Sequence, residues 1–204
     1  MNHADGTKQR LLDAGRKLFS DNGFDGASVR AITRLARANL GAVTYHFGSK
    51  EALYTAVLER LFASLADRVT AAAAGPDPAR QRLGEIVRAF FAFFKQYPEA
   101  PRLMIRHLAS VGAPPEAAVR QFRRVPEAII DVVRAGQARG ELRAVEPLLA
   151  TFTLVSQAVW FAVMRHTIAV VTGVPMDRPE MADVVERHII DVVNRALDPV
   201  KESA

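Results

Sequence analysis

The stretch from Gly23 to Lys50 leaves the chain little choice of fold. Gly23 stands where a helix wants a left-handed end. Ser28 and Asn39 each offer a side-chain oxygen to the orphan N–H groups of a helix start, and Gly48-Ser49 supplies the next stop and cap. Only two short helices fit between those marks, predicted over 29–36 and 40–47 and joined by Arg37-Ala38-Asn39. A longer helix over 8–22, burying Leu11, Leu12, Gly15, Leu18 and Phe19, is placed to brace them, with Phe24 folding back on its last turn. Ile32, Leu35, Val43 and Phe47 then form the core of a small unit with the dimensions of a helix-turn-helix.

Charge singles out the same stretch. The whole chain carries a formal net charge of +5. Residues 1–26 hold four basic and four acidic side chains, and residues 51–204 hold nineteen and eighteen. Residues 27–50 hold Arg30, Arg34, Arg37 and Lys50 with no Asp or Glu, so this block supplies four of the five charges. An acid-free basic segment is the electrostatic footprint of a phosphate-binding surface, although solvated helix faces also produce weaker versions. In a helix-turn-helix the first short helix crosses the phosphate backbone and the second enters the major groove, which is wide enough for one helix. Here the second helix would present Leu40, Gly41, Ala42 and Thr44, whose small or uncharged tips permit close approach and contact with thymine methyls, followed by Tyr45 and His46. Taken alone, Tyr45 is more readily a packed aromatic and His46 a surface residue; Ser28, Asn39 and Ser49 can be caps and nothing more, and Arg34 a solvated side chain.

Beyond this unit the pattern is all-α. Apolar residues recur at helical spacing, and no stretch sustains period-two alternation between turn signals. Ser49 caps a long helix over 50–73, and Gly75-Pro76-Asp77-Pro78 breaks it, with Asp77 the expected N-cap of the next. That next helix carries Phe90, Phe91, Phe93 and Phe94 over an arc too wide for one packing stripe, so it meets partners on two sides, core or cavity. Prolines at 98, 101, 114 and 115 delimit a short helix bearing Met104, His107 and Leu108; Pro126 splits or kinks the following element, which ends at Arg139-Gly140. Helices over 147–171 and 179–197 close the chain. The former is apolar almost all round and is read as buried, because its uncharged run, 148–164, is shorter and more polar than a bilayer span requires. Residues 1–9 lack the apolar stretch of a secretory signal, so a cytoplasmic protein is expected.

Enzyme constellations are missing. Cysteine is absent, no Walker, Rossmann, HExxH or nucleophile-elbow pattern occurs, and the five histidines do not cluster with carboxylates at ligand spacing. No catalytic residue, metal or cofactor is expected.

The runs from Ala27 to Ala36 and from Asn39 to Leu53, above all Tyr45-His46-Phe47-Gly48-Ser49-Lys50-Glu51-Ala52-Leu53, resemble the DNA-binding segment of the TetR/AcrR transcriptional regulators. The resemblance implies a dimer that binds a palindromic operator through N-terminal three-helix domains. It also implies a C-terminal helical domain that dimerises and holds a small effector whose binding releases DNA. The division expected is 1–48 for DNA binding and 49–204 for effector binding and dimerisation. Carried over by position, Arg30, Leu40, Gly41, Ala42, Thr44, Tyr45, His46 and Lys50 fall where the family meets bases or backbone, with Ser28, Arg37 and Asn39 beside them. Two positions depart from the pattern: Arg37 stands where Gly is usual in the turn, and Thr44 where Tyr is frequent. An apolar or aromatic effector is expected, with Phe90, Phe94, Met104, His107, Trp160 and Met164 as candidate contacts, and the last two helices are expected to pair about a two-fold axis. A helical small-molecule binder that has lost DNA reading is the competing expectation, and Arg37 in the turn is its support.

Overall fold

The computed structural model describes residues 3–108, 116–176 and 178–199. Among them are nine helices and no strand: α1 His3–Gly26, α2 Val29–Leu35, α3 Ala42–Phe47, α4 Lys50–Ala73, α5 Ala79–Gln96, α6 Ala100–Leu108, α7 Glu116–Ala138, α8 Pro147–Thr172 and α9 Pro179–Ala196. The all-α expectation therefore holds. Pro114 and Pro115 lie outside the described residues. The chain divides into two compact units, Met1–Ala63 with Glu99–Gln121, and Ser64–Pro98 with Phe122–Ala204.

In the first unit α1 is the organising helix, packed by α2, α3 and α6. Gly23 breaks it with φ 74°, and Phe24 then stacks on Phe19 at 6.1 Å between ring centroids. Glycine suits this break because the left-handed backbone carries no Cβ penalty there. Ser20 donates to the Glu99 carbonyl at 3.2 Å and Arg16 pairs with the Glu99 carboxylate, fastening the start of α6 to α1. A Cβ at Gly15 would lie 3.4 Å from Val57 and 3.6 Å from Leu53, so the first turns of α4 belong to this packing as well. Compactness thus cuts the chain inside α4, after Ala63, and not at the expected 48/49.

In the second unit α5, α8 and α9 pack on one another. Phe90, Phe93 and Phe94 are buried with Ile129, Val132 and Val133 of α7, Leu154 and Ala158 of α8, and Val185, Ile189 and Val193 of α9. Phe91 is half-buried at the edge of the arc, beside Phe94 and away from Phe93. The expected Asp77 cap of α5 is replaced: Pro78 is the N-cap residue, and the Ala79 N–H is met at 2.5 Å by the Glu141 carboxylate from beyond α7. Pro126 ends nothing, since α7 runs through it; Pro101 lies in the first turn of α6, where a missing N–H costs little.

Helix α8 departs most from expectation. It continues through Arg165 and His166 to Thr172 and is long and apolar enough, by length and composition, to cross a bilayer. It is also covered on one side only. Thr151, Leu154 and Ala158 are buried, while Leu148, Leu149, Phe152 and Trp160 are 46, 66, 49 and 59 % exposed. The periodicity shows that the helix is apolar all round, and the described residues cover only a stripe of it.

Candidate nucleic-acid interface

Helix α2 begins as its cap residue dictates. Ser28 is extended (φ −80°, ψ 145°), and its Oγ accepts from the Ala31 N–H at 3.1 Å. Ile32 and Thr33 face inward, the Thr33 hydroxyl donating to the Val29 carbonyl at 3.0 Å, so Arg30 and Arg34 are left on the exposed face. The expected core keeps Ile32 and Val43, which are buried, with Phe47 half-buried; Leu35 is 48 % exposed, because α2 ends there and no described element covers it.

The turn is built as a Schellman motif. The Ala38 N–H donates to the Thr33 carbonyl at 2.9 Å and the Arg37 N–H to the Arg34 carbonyl at 3.1 Å. Arg37 occupies the left-handed position with φ 50°, and no other residue except glycine has positive φ among the described residues. The backbone thus keeps the geometry that glycine would favour, at a cost of about 1 kcal/mol. From α1, the Arg10 guanidinium donates to the Ala36 carbonyl at 3.0 Å and to Thr7 Oγ1 at 2.9 Å, tying the turn to the bracing helix.

Helix α3 begins at Ala42, two residues later than predicted. Gly41 is the N-cap residue, the Ala42 N–H bonds the Asn39 carbonyl at 3.1 Å, and the Asn39 side chain is exposed. Leu40, Gly41 and Thr44 are exposed and Tyr45 is 81 % exposed. Ala42 is nearly buried, so only its edge reaches the surface. His46 sits edge-on to Tyr45, 4.9 Å between centroids. Gly48 stops the helix with φ 85°, and Ser49 Oγ accepts from the Ala52 N–H at 3.1 Å to start α4. Lys50 lies over the Phe24 ring, its Nζ 4.3 Å from the centroid, which holds the ammonium at the base of α4.

Arg37, Asn39, Gly41, Ala42, Tyr45 and His46 line an open hollow of about 680 Å³ together with Thr7 and Arg10. Sequence reasoning missed those last two because the charges of residues 1–26 cancel as a sum; in the fold the Arg10 guanidinium is held at the turn by the Ala36 carbonyl. Arg30, Arg34 and Arg37 have no ion pair among the described residues. A face of unpaired guanidinium groups around the tip of a short, protruding helix can meet phosphates on two strands and base edges between them.

The candidate effector residues divide between the two units. Phe90 and Phe94 are buried in the second unit, Trp160 is exposed and Met164 half-buried there. Met104 and His107 belong to the first unit, since α6 packs on α1, a long-range contact that spacing does not encode. His107 lies 3.5 Å from the Tyr54 hydroxyl, and burial pushes its imidazole below the usual histidine range. Phe94 lines a cavity bounded by α5, α8 and α9, and the other five do not.

Comparison with known proteins places these features in a family. Residues 11–57 match the profile described as bacterial regulatory proteins, tetR family, and residues 80–193 match the tetracyclin repressor-like C-terminal domain. The chain is 27% identical over 186 residues to the HTH-type transcriptional repressor NicS of Pseudomonas putida, covering 88% of this chain and 87% of that one. It is 44% identical over 52 residues to the HTH-type transcriptional regulator UidR of Escherichia coli, covering 26% of each. Among solved structures it is similar in fold to the TetR family regulator PfmR of Thermus thermophilus, with a TM-score of 0.76, 23% identity and coverage of 91% and 97%. Because the C-terminal profile alone spans more than half of the chain, this protein belongs to the tetR family of bacterial regulatory proteins and is a DNA-binding transcriptional regulator, not an enzyme.

Proposed function

We propose that the chain acts as a cytoplasmic, dimeric repressor that is released from a palindromic operator by a small apolar or aromatic effector. The observation that carries this reading is the face of Arg30, Arg34 and Arg37, without carboxylate partners among the described residues, around the exposed tip of α3. Leu40, Gly41, Thr44 and Tyr45 face the bases, with the edge of Ala42 and with His46 beside them. Arg30 contributes to base or phosphate contact; Ser28, Arg37, Asn39 and Lys50 hold the backbone. Residues 1–48 carry this role, and residues 49–204 carry effector binding and dimerisation.

Helices α8 and α9 pair with their copies about a two-fold axis, covering Leu148, Leu149, Phe152 and Trp160. The effector favours a spacing of the two N-terminal units that no longer matches half-sites one helical turn apart. The competing reading, a binder that has lost DNA recognition, rested on Arg37 distorting the turn. Both Schellman bonds are present there, which removes its support.

The test is binding to the operator and to a scrambled duplex of equal length across a range of salt concentrations. A steep salt dependence with a preference for the operator is expected. Equal affinity for both duplexes at every salt concentration rejects the reading.

A further inference from the structure

The cavity between α5, α8 and α9 has a volume of about 590 Å³, within the range of small-molecule sites. Its walls are apolar where α5 and α8 face each other, through Phe91, Phe94 and Phe161, with Met181 of α9 opposite. Its charges are not balanced in the same way. Of the acids on its rim, Glu186 is engaged by Arg88 at 3.7 Å, and Arg88 also holds Glu85 at 2.6 Å. Glu180 and Asp183 are exposed on the first turns of α9, where the helix N-terminus favours negative charge. Three of the cations have no such partner. Arg165 is half-buried beside Phe161, Lys95 is exposed at the end of α5 and Arg178 is exposed at the start of α9, and none of these three side chains makes an ion pair or hydrogen bond among the described residues.

An apolar hollow with a partly desolvated, unpaired guanidinium in its lining is complementary to a molecule that is apolar along its length and anionic at one end. A neutral hydrocarbon would leave Arg165 unpaired, and a cation would oppose it. We propose that this cavity binds an organic anion, its aromatic or aliphatic body against Phe91, Phe94 and Phe161 and its carboxylate, sulfonate or phosphate on Arg165 with Lys95 beside it. The inference rests on the effector-responsive reading above and gives that effector a charge and a place. The six candidates drawn from sequence share only Phe94 with the cavity. A ligand there lies against both α8 and α9, so it acts on the two helices assigned to the dimer.

The experiment is a fluorescence titration of the free, full-length protein with two dyes of similar shape, anionic anilinonaphthalenesulfonate and neutral phenylnaphthylamine. The sulfonate should bind at least about tenfold more tightly than the amine. R165Q should weaken the sulfonate by about tenfold while changing the amine by less than about twofold, and R165K should restore part of the loss. M181W, which fills the cavity, should remove binding of both dyes; melting curves establish that each variant is folded. Equal binding of the two dyes, equal weakening of both by R165Q, or undiminished binding to folded M181W overturns the proposal. No DNA is present, so failure of operator recognition would leave this result standing, and failure here would leave operator recognition standing.

Discussion

Two surfaces of this molecule are unfinished within one protomer, and they are unfinished in opposite ways. The face around α2 and α3 exposes cations that lack carboxylates; along α8 the face exposes Leu148, Leu149, Phe152 and Trp160 with no charge before Arg165. Unpaired guanidinium groups remain well solvated in water and gain most from a polyanion, with an affinity that salt erodes. Exposed leucine and tryptophan gain from anything that excludes water, nearly independently of salt. One chain therefore presents a surface that gains most from a polyanion and another that gains from any apolar cover.

The comparison breaks most visibly on α8. Leu149→Asp places an unpaired charge in the proposed dimer face twice, once per protomer, and should raise the dimer Kd by about a hundredfold or more, read by mass in solution against concentration. A chain that stays dimeric with this substitution dimerises elsewhere. On the other surface Arg30→Ala should weaken operator binding by about 1–3 kcal/mol and relax preference at one base position, measured against a panel of single-base operator variants.

Arg37→Gly sharpens the contrast because its two effects have opposite signs. Relief of the left-handed arginine should stabilise the fold by about 0.5–1 kcal/mol in urea unfolding, while the loss of one phosphate contact per protomer lowers the salt slope of DNA binding. Unchanged DNA binding together with higher stability would assign Arg37 no role at the phosphates.

The smallest effect is a pH dependence. Burial depresses the His107 pKa in the folded chain, so the unfolded chain binds more protons as pH falls through about 6.5. The stability that neutral His107 contributes is present above that pH and is lost below it. His107→Phe should flatten this part of the urea-midpoint profile.

Much of the first unit was legible in order along the chain. Ser28, Ser49, Gly23 and Gly48 act where their chemistry places them, because caps and stops satisfy backbone groups only a few residues away. Asn39 was misread for a related reason. A backbone bond from Ala42 to its carbonyl served the same purpose, and α3 began later. Arg10 and Glu141 were not legible at all: their partners, the Ala36 carbonyl and the Ala79 N–H, are 26 and 62 residues away.

By itself, the sequence determined that the chain is helical, that two short helices lie within residues 27–50, with the start of the first and the stop of the second, and that four of its five net charges gather there. Each of these depends on neighbours within a turn or two of helix, or on composition. Tertiary structure decided that α6, with Met104 and His107, packs on α1 in the first unit, that α8 buries one stripe and bares the rest, and that Arg165 meets Phe91, Phe94 and Phe161 around one cavity. Helical periodicity tells which side of a helix is apolar, but which partner covers that side is a property of packing between distant segments.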